Sequence, residues 1–182
     1  MKNDPGAGRA PLPHEEAARS QSTLCVRAFL EEAAALMQDD FLPKLEKCVA
    51  ALPEEEVWWR SSESENSAGN LLLHLAGNVR QWIISGMGGA PDVRARPKEF
   101  AARGGMTKHE AFEQLRETVA EACAVLRRLD ETDLSAEKSI QGFRRSGLAV
   151  IFHVVEHFSY HTGQIAFITK LRTRRDLKFY DL

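Results

Sequence analysis

Cysteine is sparse in this sequence and shows no pairing pattern. Cys25, Cys48 and Cys123 are an odd number, far apart, with no Cys-x-x-Cys among them. A disulfide-stapled secreted domain is thereby excluded, and the usage is that of a reducing cytoplasm. Each cysteine falls in a helical apolar pattern without a basic neighbour, so each is expected to be a small buried hydrophobe. Long apolar runs are missing too. Nothing approaches the roughly 20 residues of a membrane span, and the N-terminus has no apolar signal-peptide core. Excess charge is also absent: 24 basic and 26 acidic side chains give a net charge of −2, which offers no electrostatic footprint for nucleic acid. These absences predict a soluble, cytoplasmic protein with neither membrane nor nucleic acid as partner.

What is present is an ordinary globular composition, 43% hydrophobic over 182 residues, enough for one domain with a proper core. Residues 1–19 mix Pro, Gly and charge without periodicity and read as a flexible leader. Residues 20–182 form the domain. Its first long helix carries Leu24, Leu30, Ala33, Met37, Phe41, Leu45, Cys48 and Leu52 near a 3.6-residue repeat, with a kink or break expected at Pro43. After a connector anchored by Trp58 and Trp59, Asn66 or Ser67 caps a second helix over residues 68–85. Its Gly77 suggests close approach by a neighbouring element.

A long connection follows over residues 86–106, with Gly86, Gly88, Gly89, Gly104 and Gly105 and a basic run that includes Arg94 and Arg96. Connections of this length are usually functional or mobile. Thr107 and Glu110 form a capping box that opens a third helix, to about Asp130. Residues 132–145 are irregular, with a turn or short extended piece at 140–143. A fourth helix runs from Gly147 to about Leu171, followed by a basic, aromatic tail. Four long helices without a convincing strand pair argue an all-α, four-helix bundle with a long loop between helices 2 and 3.

Three of the six histidines, His153, His157 and His161, lie on the fourth helix. Each residue turns about 100° around a helix, so His161 lies at about +40° from His157, Gln164 at about −20° and His153 at about −40°. On the second helix His74, Asn78 and Gln81 repeat the arrangement. Two helices thus each carry a polar face centred on histidine. Buried, these groups must be satisfied by one another, by water or by a metal. One reading is a set of core histidines hydrogen-bonded across helices. The other is a metal site in which His74, His157 and His161 leave a coordination position open, with Asn78, Gln81 and Gln164 orienting ligands or substrate and Tyr160 assisting proton transfer. Spacing alone leaves both standing.

Residues 42–48 (LPKLEKC), 66–83 (NSAGNLLLHLAGNVRQWI) and 153–165 (HVVEHFSYHTGQI) resemble the DinB-like family, the DinB/YfiT superfamily of metalloenzymes, most distinctively in the histidine helix ending His-x-Gly-Gln. The resemblance spans nearly everything after the leader. It implies a four-helix bundle of unusual connection order, often a homodimer, with one divalent ion held by His74, His157 and His161. His153 then lies outside the triad as a supporting residue. Zinc, nickel and iron all accept three imidazoles; zinc is the ion expected. Some relatives of that family are transferases or isomerases that use low-molecular-weight thiols, and others are called metal-dependent hydrolases. The resemblance therefore implies a hydrolase or thiol S-transferase acting on a small molecule, the alternative being a non-catalytic, metal- or small-molecule-binding stress-response protein. Arg94 and Arg96 would suit an anionic substrate such as a thiol cofactor's carboxylates, or would simply make surface salt bridges.

Overall fold

The computed structural model describes residues 12–180. Helix α1 spans Pro13–Ala35, winds more widely as a π-segment over Leu36–Phe41, and continues as α2, Leu42–Ala51. The break expected at Pro43 is therefore taken up just before it. Proline has no N–H to give to the preceding turn, and the wider π-turn absorbs the mismatch while Pro43 sits in the first turn of α2. Because α1 begins at Pro13, its first turns use residues assigned above to the leader. Residues 1–11 lie outside the described residues.

Helix α3, Ala68–Val79, starts at Ser67, whose hydroxyl accepts from the Asn70 backbone N–H while the Asn70 side chain accepts from the Ser67 N–H. It too passes into a π-segment, Arg80–Ser85. The long connection is not structureless: it carries a short helix α4, Arg96–Ala101, that packs along α3. Helix α5, Lys108–Leu126, begins with the predicted Thr107–Glu110 capping box. A short α6, Glu131–Ser135, leads into an antiparallel hairpin, β1 (Glu137–Ile140) and β2 (Phe143–Ser146), in register Glu137 to Ser146 and Ile140 to Phe143. The hairpin is a small departure from an all-α reading. Its turn places Gln141 and Gly142 at φ 53° and 79°, the left-handed conformation that a two-residue hairpin turn requires. Helix α7, Gly147–Thr173, ends at Arg174 in the same left-handed region (φ 54°).

The bundle consists of α1–α2, α3, α5 and α7. Helix α3 lies between α5 and α7, and α7 packs against α2. Met37, Leu45, Leu72, Leu75, Leu115, Ile151, Phe158 and Ile165 are fully buried among these helices, and the Phe41 and Phe158 rings stack at 5.7 Å. Cys48 and Cys123 are buried as expected, but Cys25 is exposed on α1. The apolar period predicts its burial, but this stretch of α1 shows mostly exposed positions. The basic tail folds back: Arg172 grips the Glu56 carboxylate at 2.6 and 2.7 Å, and Lys47 donates to the Lys178 carbonyl at 2.7 Å. Among the described residues no helix is long and apolar enough to cross a membrane.

Candidate metal centre

Packing α3 against α7 brings the two polar faces together. His74 Nε2 lies 3.1 Å from His157 Nε2, and His161 Nε2 lies 3.1 Å from the same atom. The three side chains form a group that could hold a metal ion, their ligand atoms all within 4.8 Å of one another. His74 and His161 are buried and His157 is half-buried.

The partners on the far sides of the rings determine what these nitrogens present. Glu99 Oε2 lies 2.9 Å from His74 Nδ1. Burial raises the Glu99 pKa, but hydrogen bonds from Arg94 and His74 outweigh it and hold the carboxyl below its ordinary value. An ionised carboxylate only accepts, so the proton of His74 sits on Nδ1 and its Nε2 bears a lone pair. Arg94 Nη2, 3.1 Å from the same Nδ1, is a second donor sharing that carboxylate. On α7, Gln164 turns its amide nitrogen to the Tyr160 hydroxyl (3.2 Å) and its Oε1 to His161 Nδ1 (2.6 Å). His161 therefore also carries its proton on Nδ1 and a lone pair on Nε2. Two lone pairs point at His157 Nε2, which has at most one proton to give. One of them is left unanswered unless a cation takes the place of the proton.

Spacing and charge state agree with that donor set. Zn–N bonds of about 2.0–2.1 Å put ligand nitrogens about 3.3 Å apart in a tetrahedron and about 2.9 Å apart in an octahedron, which bracket the 3.1 Å of the His74–His157 and His161–His157 pairs. Burial, reinforced by His161, His74, His153 and Arg94, pushes the His157 pKa down to about 3. Burial also lowers that of His161, against the opposing Gln164 hydrogen bond. Both rings are neutral at pH 7, as ligands must be.

The other predicted residues fall around this centre in different ways. Asn78 is buried beside it, its Oδ1 without a partner. Gln81 is turned to the connection, accepting from Arg94 Nη1 at 2.9 Å and donating to Asp92 at 2.7 Å. His153 packs on the Trp82 ring at 4.6 Å, one turn from His157. Tyr160 is exposed; its ring lies edge-on to that of His161 at 5.0 Å, and its hydroxyl accepts from Gln164. The guanidinium of Arg94 is engaged internally, with Nε 2.7 Å from Glu99 Oε1 and Nη2 2.8 Å from Oε2, whereas Arg96 is exposed. Glu99 was missed by the sequence reading. The only hint was Gly77, where a Cβ would collide with the Glu99 carboxylate and lie 2.9 Å from Arg94 Nε. The close neighbour is thus Glu99 of α4, with Arg94 from the segment just before that helix.

Two cavities adjoin the centre. One of about 230 Å³ is lined by His74, Asn78, Trp82, His153 and His157 from the helices, by Arg94 and Arg96 from the connection, and by Gln141, Phe143 and Arg145 from the hairpin. A larger one, about 640 Å³, lies between α7 and residues 59–66 and touches the centre only through Tyr160 and Gln164.

Comparison with known proteins bears on the fold. Residues 26–181 match the model of a family described as "Protein of unknown function (DUF1572)". No curated protein matches. Among solved structures, a DinB-like protein from Bacillus cereus ATCC 10987 superimposes with a TM-score of 0.59 at 14% identity, covering 74% of this chain and 87% of its own. A DinB-like protein from Bacillus subtilis has a TM-score of 0.59 at 16% identity, covering 81% and 94%. At these identities the likeness shows a DinB-like helical bundle.

Proposed function

We propose that this chain, which belongs to the DUF1572 family, binds one divalent metal ion through His74, His157 and His161 and is a metal-dependent enzyme, a hydrolase or a low-molecular-weight-thiol S-transferase. The observation that carries the reading is the pair of Nε2 lone pairs, fixed by Glu99 and Gln164, aimed at a third imidazole nitrogen. A divalent ion on three imidazoles keeps coordination positions open and supplies Lewis acidity towards a water or a thiol. The chain's own contribution is orientation. Glu99 and Gln164 lock two rings in the ligating tautomer, and Arg94 keeps Glu99 ionised in a buried position. Zinc is the ion we favour, with nickel and iron as competitors, because three neutral imidazoles do not discriminate strongly among them.

Metal analysis of protein purified without chelator tests this. One divalent ion per chain is expected, lost in His157→Ala and His161→Ala, followed by assay against small thiols and electrophiles. A folded wild-type protein that neither retains nor takes up a divalent ion overturns the reading.

An exposed apolar stripe supports the homodimer that the resemblance implies. Helix α7 exposes Leu148, Phe152, Tyr160, Phe167 and Leu171, each between 48% and 68% accessible. Reversed about the bond between Ser159 and Tyr160, the stripe maps onto itself: Leu148 falls on Leu171, Phe152 on Phe167, and Glu156 on Gly163, beside which a Cβ would meet nothing. Such a pattern is self-complementary under a two-fold axis. At 150–250 Å² for each aromatic ring, the stripe offers on the order of 600 Å² per chain, approaching the roughly 800 Å² of a standard interface. Sedimentation of wild type against Phe152→Glu/Phe167→Glu tests it. A wild-type monomer at micromolar concentration ends it.

A further inference from the structure

Only three buried side-chain polar atoms among the described residues lack a hydrogen-bond partner: Asn78 Oδ1, Trp82 Nε1 and His157 Nδ1. All three residues line the same cavity of about 230 Å³. Unsatisfied buried polar groups are costly and rare; as the side chains stand these three atoms are closed off from solvent, so an occupant of the cavity meets them through a small shift of the lining side chains. Trp82 can only donate. His157, with Nε2 turned to the two lone pairs of the centre and given to a cation there, carries its proton on Nδ1 and donates as well. The Asn78 amide donates or accepts according to which way it is turned.

Charge narrows the occupant further. Arg96 and Arg145 reach the same cavity from the connection and from β2. Each guanidinium lies over an aromatic ring, Arg96 5.1 Å from the Phe100 centroid and Arg145 5.8 Å from that of Phe143. Neither has a carboxylate partner among the described residues, and no acidic side chain lines the cavity; Glu99 is already engaged by Arg94. At about 30 Å³ per water, the volume exceeds what one or two bridging waters need. Water would satisfy the three neutral atoms; an anion would in addition pair with the two exposed guanidinium groups that line the cavity.

We infer that this cavity is an oxyanion subsite, in which the carboxylate or phosphate group of a small substrate accepts hydrogen bonds from Trp82 Nε1 and His157 Nδ1 and is paired by Arg96 and Arg145. The inference rests on the metal reading for the tautomer of His157 and deepens it by giving the substrate an anionic group one imidazole away from the ion. The arginine role foreseen for residues 94 and 96 is thereby divided: Arg94 serves Glu99, and Arg145 joins Arg96. Planar guanidinium groups suit such oxygens by paired N–H donation.

The test uses the indole N–H resonances of the full-length protein, that of Trp82 assigned by its loss in Trp82→Phe, with metal content measured on the same sample. Acetate, inorganic phosphate and neutral acetamide are titrated at constant ionic strength. Acetate or phosphate is expected to move the Trp82 resonance saturably while acetamide does not, and the better of the two anions tells a carboxylate substrate from a phosphorylated one. The surface double variant Arg96→Ala/Arg145→Ala should weaken that response by about tenfold or more, roughly 1.4 kcal/mol. No saturable shift, or an unchanged one in the double variant because the ion is adventitious only, overturns the subsite. A metal-loaded sample without the anion response sinks this inference alone. An anion response in a protein that takes up no metal supports the cavity and sinks the metal reading.

Discussion

Removing the Glu99 carboxylate should separate the two roles that the structure assigns to it. Its side chain is 10% exposed and that of Arg94 3%, and the two meet through a pair of short hydrogen bonds. In Glu99→Ala the guanidinium is left buried without its counter-charge, a change that costs about 3–5 kcal/mol when one member of a buried pair is deleted. His74 Nδ1 also loses its acceptor, so nothing holds the ring in the ligating tautomer; loss of such an outer partner lowers metal affinity about 10–100-fold, or about 1.4–2.8 kcal/mol. Replacing both partners, as Arg94→Met/Glu99→Leu, should recover most of the fold stability, because apolar substitutes avoid the desolvation of two charges. It should not recover metal affinity, because His74 still lacks its acceptor. Urea unfolding of the metal-free protein reads the first quantity, and competition with a chromophoric chelator reads the second. If Glu99→Ala binds metal as wild type does, or if the double variant regains affinity together with stability, the orienting role is wrong.

Three other outcomes follow from the same geometry. The folded-state pKa of His157, about 3, and the lowered value of His161 lie below the ordinary histidine value of 6.5. The unfolded chain therefore takes up protons first, and the stability of the metal-free protein should be level for these groups above about pH 6.5 and decline as pH falls towards 5, before carboxylates titrate; urea midpoints across that window check it, and His157→Phe should flatten the slope. Gly77→Ala drives a methyl group into the Glu99 carboxylate, so overpacking should cost about 1–3 kcal/mol and weaken metal binding together with it. A thiol reagent should label Cys25 alone in the native state and all three cysteines after unfolding, since Cys48 and Cys123 are buried and burial pushes the Cys48 thiol up to about 11.

What the sequence determined by itself is whatever depends on local periodicity. His157 and His161 share a face because four residues make just over one helical turn, and the caps at Ser67 and Thr107 are side-chain bonds to backbone three residues away. Those rules need no partner, so the four long helices and the paired polar stripes were legible, whereas choosing the metal reading and setting His153 outside the triad took the resemblance. Tertiary structure alone decided what arrives from segments without period. The residue that fixes the tautomer of His74 comes from α4, 25 residues along the chain. Arg145 comes from a hairpin whose four-residue strands are too short to show a pattern. Gln81, within the π-segment Arg80–Ser85, bonds to Arg94 and Asp92 of the long connection, partners that helical spacing does not foretell. A ligand's spacing along a helix is local geometry. The charge and hydrogen bond that make a histidine a ligand come from whatever packs behind it, and that is settled only when the long connection closes over α3.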